Sequence, residues 1–250
     1  MAASASITGS SAPRAPESVL DEATRIAEDA IGSARVSLMA QLPFMDVALW
    51  RMPLAVRLQA SAFETDGRIL WFDAAHVIEL YRKSPNEVLR GYFHAIMHCV
   101  FRHPFDDRHP ARALWDIACD ASVEATAIEL LGIGFPSERD GEEKRMLERI
   151  REKCPTLTAQ SIYRALAENG ESGQPAFSPA FVASLDGVFA RDGHAAWPRA
   201  SEREIAAKSV GDELSLMPSD GNDKLGGKTD DSTNSEDKSR SPGANMPGMA

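Results

Sequence analysis

The segment FHAIMHCVFRH, Phe93 to His103, places His94 and His98 four residues apart in an apolar run. On an α-helix, positions four apart lie about 40° from one another around the axis, so both imidazoles can converge on one point. That geometry suits zinc, whose histidine ligands stand about 2.0–2.1 Å from a tetrahedral centre. Taken alone, the pair is equally compatible with a core helix that happens to carry histidines. A second row alters the balance. Asp116, Asp120 and Glu124 are spaced four and four, in a stretch otherwise filled by Leu114, Ile117, Ala118, Ala121, Val123 and Ala125. Carboxylates in so apolar a helix need a cation, a metal or a network of donors. The alternative is a solvated acidic stripe on an amphipathic helix. Two antiparallel helices carrying these rows can offer neutral imidazoles and one or two carboxylates to zinc, with one coordination position left for water.

Other candidates are less direct. His103 lies five residues past His98, about 140° round a regular helix, and reads as a C-terminal residue whose positive charge suits the helix dipole. His76 and His109 read as surface or local hydrogen-bonding residues, and Cys99 as core. His194, in RDGHAAW, either approaches the metal from a loop or fixes local structure. Trp115 and Trp197 read as core or cleft walls.

Positioning these groups falls to a few elements. Ser84-Pro85-Asn86-Glu87 supplies an N-cap, a proline at the first helical position and a glutamate three residues after the cap. It predicts a helix running to about His103 and stopped by Pro104. The polar loop PFDDRHPAR leads to a second helix, ALWDIACDASVEATAIELLG, closed by Gly132. Upstream, SVLDEATRIAEDAIGSARVSLMAQLP predicts one or two helices beginning at Ser18. LAVRLQASAFE and GRILWFD flank Thr65-Asp66-Gly67 and predict a β-hairpin, followed by a short helix over AAHVIELYRK. GEEKRMLERIREKC and LTAQSIYRALAE, the latter capped by Thr158, predict two more helices. Residues 1–17, rich in Ala, Ser and Pro, and the polar stretch 206–250 predict disordered ends around one domain over 18–205.

Composition excludes several classes. Against 27 Lys and Arg stand 37 Asp and Glu, a formal net charge of −10, which argues against nucleic acid or an anionic membrane as partner. An apolar fraction of 43% allows a substantial core. The 3 cysteines are odd in number and form no CxxC pair, which argues against a disulfide framework and a four-cysteine zinc site. The N-terminus lacks the basic start and apolar run of a signal peptide, and no uninterrupted apolar stretch of about 18 residues occurs. The expectation is a soluble, cytoplasmic protein.

FHAIMHCVFRHPF followed by LWDIACDASVEATAIELLG resembles the metallopeptidase domain that precedes a von Willebrand A-like domain in many bacterial proteins. DGRILWFD before the histidine helix, LTAQSIYRAL after the acidic one, and RDGHAAW extend the likeness over roughly residues 20–200. The resemblance implies an α+β, zincin-like fold, mainly helical with a small sheet beside the histidine helix. It implies His94, His98 and Asp120 as zinc ligands; Asp116, from the acidic row, and His194, from its loop, stand beside them as additional candidates read from the residues themselves. Two departures stand out. Many members read His-Glu-x-x-His, with Asn four residues after the aspartate of the second helix; this chain has Ala95 and Glu124 at those positions. Alanine cannot accept a proton, so the usual general base is missing. Glu124 is either a fourth ligand, closing a structural site, or the base acting on water. The von Willebrand A-like domain is also absent from the sequence, which weakens the implied partnership with AAA+ ATPases. The expected function is zinc-dependent hydrolysis of a peptide or protein, with Glu124 relaying the proton. The alternatives are an inactive metal-binding interaction module and a metal-free helical scaffold.

Overall fold

The computed structural model describes residues 18–106, 108–167 and 175–198. The disordered ends expected over 1–17 and 206–250 lie outside the described residues. The first helix, α1 (Val19–Gln41), starts at Ser18, whose hydroxyl accepts from the Asp21 amide while the Asp21 carboxylate accepts from the Ser18 amide. This reciprocal cap satisfies two of the donors that a helix start leaves open. Its buried residues, Ala27, Ala30, Ile31, Ala34, Arg35 and Leu38, recur every three to four positions and form one stripe. A short α2 (Asp46–Arg51) follows.

Three short strands come next: β1 (Leu54–Val56), β2 (Phe63–Thr65) and β3 (Leu70–Phe72), in the order β1-β3-β2. The hairpin exists between β2 and β3, with Phe63 opposite Phe72 and Thr65 opposite Leu70. Its turn is held by Asp66, whose Oδ1 accepts from the amides of Arg68 and Ile69 at 2.8 and 2.9 Å, and by Gly67 at φ 88°. The stretch LAVRLQASAFE is not one strand, however. Leu54–Val56 pairs parallel to the far side of β3, with Leu54 beside Leu70. Between the two pieces Gln59 adopts φ 60°, which takes the chain out of extended geometry.

The remaining helices are α3 (Ala74–Lys83), α4 (Pro85–Val100), α5 (Arg112–Leu131), α6 (Asp140–Arg151), α7 (Ala159–Ala167) and α8 (Pro179–Phe189). Ser84 caps α4, with its hydroxyl accepting from the Asn86 amide. Helix α4 ends at Val100, short of the expected limit at His103. A single 3-10 turn, His103–Phe105, follows it. Helix α8 was not anticipated from the sequence, although Ser178 caps it and Pro179 opens it.

Every residue of α4 from Glu87 to His98 is buried, so its polar side chains need partners inside the protein. The main core joins α1, the sheet, α3, α4 and the C-terminal half of α5 through Leu38, Phe63, Phe72, Phe93, Val123 and Leu131. A second core lies on the opposite side of α5, where Ile117 and Ala121 meet Ile150, Ile162, Leu185 and Phe189. Helix α5 is therefore packed on two sides. That arrangement rules out the solvated-stripe reading for Asp120 and Glu124, which are 3% and 0% exposed. The fold is α+β, mainly helical with a small three-stranded sheet, and no described helix is long and apolar enough to cross a membrane.

Candidate metal centre

One turn apart on α4, His94 and His98 present their Nε2 atoms to each other at 2.9 Å. From α5, Asp120 brings Oδ1 to 3.4 Å of His94 Nε2 and 3.2 Å of His98 Nε2. A third element completes the group. After α8 the chain runs through Arg191-Asp192-Gly193-His194, and Asp192 Oδ1 lies 3.6 and 3.7 Å from the same two nitrogens. The four residues offer ligand atoms that all lie within 4.8 Å of one another. A tetrahedron with arms of about 2.0–2.1 Å has edges of about 3.3 Å, close to these spacings. Neither oxygen of the buried Asp192 carboxylate has a hydrogen-bond partner of good geometry among the described residues. Two nitrogens and two oxygens, with one buried carboxylate free of any well-formed hydrogen bond among the described residues, are a donor set that fits a divalent transition metal.

Asp192 was not singled out in the sequence, where RDGHAAW drew attention to His194 alone. A usable signal was present: residues two apart in extended chain point the same way. Gly193 forms a parallel bridge with Glu64, its amide donating to the Phe63 carbonyl at 2.9 Å, so the segment lies strand-like along β2. A Cβ at Gly193 would stand 2.6 Å from Ser61 Oγ and 2.9 Å from Glu64, so only glycine allows this approach. Asp192 and His194 consequently face the same cluster. His194 Nε2 lies 3.0 Å from Asp120 Oδ1 and 3.2 Å from Asp192 Oδ1. Its ring stacks on Trp197 at 3.8 Å, and Trp197 also meets His98 edge-on, so Trp197 walls the centre. Asp116 stands further out. It pairs with Arg112 at 2.8 Å and reaches the centre only through His194 Nδ1 at 3.6 Å.

Glu124 occupies the other side of His94. Its Oε1 lies 2.6 Å from His94 Nδ1, the ring nitrogen opposite the one that faces the cluster. Its Oε2 accepts from Arg90 at 2.8 Å, and Arg191 Nε stands 3.1 Å from Oε1. Both guanidiniums are tied further. Arg90 reaches Asp140 at 2.9 Å, and Arg191 reaches Glu87 at 2.9 Å and Glu143 at 2.7 Å. This buried ionic network holds the Asp192 segment against α4, α5 and α6.

The electrostatics carry a positive-charge requirement. Burial alone would lower the His94 pKa. Hydrogen bonds with Asp120 and Glu124 and the charge of Asp192 outweigh it and raise the value to about 9. His194 behaves likewise: the charges of Asp120 and Asp192 overcome burial and push it well above its ordinary value. Asp120, which burial would raise, is instead held well below its ordinary value by His194 and by hydrogen bonds from His194, His94 and His98. Without a metal, two imidazolium ions thus balance two carboxylates, and one divalent cation carries the same charge. His98 shifts downward because burial dominates.

His103 departs from its expected role. It is 3% exposed, and burial followed by the neighbouring His98 pushes its pKa down to about 2. It is therefore a neutral interior group, not a cation at a helix end. His76 is exposed as expected, while His109 stacks on Trp115 at 3.7 Å.

Residues 27–242 match the family model described as a putative metallopeptidase domain. No curated protein matches the chain, and no solved structure does.

Proposed function

The chain belongs to the putative metallopeptidase domain family, and on that premise we propose that it binds one zinc ion in a zincin-like setting through His94, His98, Asp120 and Asp192. The observation that carries this reading is the convergence of four ligand atoms from α4, α5 and the segment after α8. A divalent ion held there would supply Lewis acidity and two positive charges. With four protein donors the coordination shell is filled, and the protein's own groups leave no ordinary general base. Ala95 has no proton acceptor, and Glu124 is engaged by His94, Arg90 and Arg191. The role that follows is a metal-stabilised binding domain in which Glu124 orients His94, instead of serving as ligand or base.

One observation favours a second, hydrolytic reading. Asp192 stands slightly further from the two histidines than Asp120 does, and its oxygens make no hydrogen bond of good geometry among the described residues. In that reading His94, His98 and Asp120 hold the metal. Asp192 accepts a proton from water, His194 stabilises the charge that develops, and the substrate is a peptide or protein. Metal analysis of the purified protein, followed by assay of the zinc-loaded form on a peptide library, separates the two. Zinc at one per chain without hydrolysis supports the binding domain. Hydrolysis lost in Asp192→Asn while zinc is retained supports the hydrolase. Absence of stoichiometric metal overturns both.

A protein partner in the cytoplasm is part of this proposal, and the family resemblance makes an AAA+ ATPase the first to test by co-purification.

A further inference from the structure

Resting on the metal-binding reading above, we propose that His103 is a positioning residue for the metal: it accepts a hydrogen bond from His98 Nδ1 and thereby fixes the tautomer that turns the His98 Nε2 lone pair to the metal. The Nδ1 atoms of His98 and His103 lie 3.0 Å apart, both rings buried. Two imidazole nitrogens at that distance share one proton, so one donates and the other accepts. His98 Nε2 faces the cluster and must be unprotonated to ligate, so its proton sits on Nδ1. His103 Nδ1 is then the acceptor, and His103 carries its own proton on Nε2.

The backbone is shaped to bring this about. A continued helix would carry His103 away from His98. Instead α4 ends at Val100 and Arg102 adopts φ 62°, ψ 25°, a left-handed conformation that non-glycine residues rarely occupy. Pro104 then fixes the 3-10 turn, and His103 folds back behind His98 with Phe101 and Trp115 around it at 5.4 and 5.8 Å between ring centres. The two metal-facing histidines are thereby oriented by different chemistry. His94 has a carboxylate, Glu124, on its outer nitrogen, and His98 has a neutral imidazole. A metal-ligating histidine held by an outer partner loses about 10- to 100-fold in metal affinity when that partner is removed.

The test is zinc affinity by chelator competition on His103→Leu and His103→Gln, with circular dichroism of each metal-free form. The expected result is affinity weakened about 10- to 100-fold in His103→Leu and largely restored in His103→Gln, whose carbonyl can accept. A folded His103→Leu that binds zinc as tightly as wild type overturns the inference while leaving the metal reading standing. If neither variant folds, nitrogen-15 NMR of the zinc-loaded wild type decides. A proton on His98 Nδ1 with coupling across the hydrogen bond to His103 Nδ1 supports the assignment, and an unprotonated His98 Nδ1 overturns it. A wild-type protein that binds no zinc overturns the metal reading, and this inference with it.

Discussion

His94 and His98 face one another through Nε2 atoms 2.9 Å apart, while the Nδ1 of each already meets a buried partner, Glu124 or His103. With the protons on those outer nitrogens, two lone pairs are opposed at hydrogen-bond distance. A cation or a proton must sit between them. Purified protein is expected to hold one zinc per chain by elemental analysis. His94→Ala and Asp120→Ala are expected to fall to a small fraction of that occupancy.

Metal and protons compete for this site, and the sign can be worked out. The ordinary His94 pKa is 6.5 and its folded, metal-free value is about 9. A raised value means stability that is fully present below pH 6.5 and lost as pH rises through 9, a loss on the order of 3 kcal/mol. The downward shifts of His98 and His103 act below pH 6.5, and Glu143, pushed up to about 7 by burial and by Glu124, reaches only the lower edge of this window, which otherwise falls to His94 and His194. Metal-free protein should therefore lose Tm between pH 6.5 and 9, while the increment produced by zinc grows over the same interval. Zinc uptake near pH 7 should release about two protons, from His94 and His194, read by calorimetry in buffers of different ionisation enthalpy.

Glu124→Gln keeps an oxygen for His94 Nδ1 but removes the charge facing Arg90 and Arg191. Breaking a buried ion pair from one side costs about 3–5 kcal/mol. Urea denaturation should show a loss of that size, with zinc still bound at one per chain and roughly tenfold more weakly. Complete loss of zinc from a folded Glu124→Gln would make Glu124 a ligand instead.

Gly193→Ala should destabilise by about 1–3 kcal/mol, the cost of overpacking a tight site. The added carbon meets Ser61 and Glu64, and Glu64 cannot swing away because Arg57 and the Ser61 amide hold it at 2.9 and 3.1 Å. Because Asp192 and His194 flank this residue, zinc affinity should fall alongside Tm. A variant with wild-type affinity would show that the segment places neither side chain.

Much of this centre was legible in the residues themselves. Helical spacing alone aligned His94 with His98 and Asp120 with Glu124, and the Ser84-Pro85 start fixed the register of the first pair. Three things were not legible. The direction of Glu124 depends on Arg90 and Arg191, one on α4 and one 67 residues downstream of it in chain order, and no local pattern reports such a network. Asp192 sits beside a glycine in what reads as an ordinary turn, and only its approach to β2 turns it inward. His103 was placed by extrapolating a regular helix past Val100, where the left-handed Arg102 reverses the direction of the chain. In each case tertiary context outweighed sequence spacing.

The four candidate ligands are unevenly distributed along the chain: three fall between residues 94 and 120, and the fourth is residue 192. In polymer terms, a metal joining His94 to Asp192 is a reversible cross-link closing a loop of about 100 residues, which for a covalent bridge of that span would restrict the unfolded chain by about 4–5 kcal/mol. All three cysteines are free. Chelation would then remove a long-range tether that adds to the Arg191 ion pairs and the Gly193 bridge, and α6, α7 and α8, which lie inside that loop, should be the first elements to lose protection from hydrogen exchange.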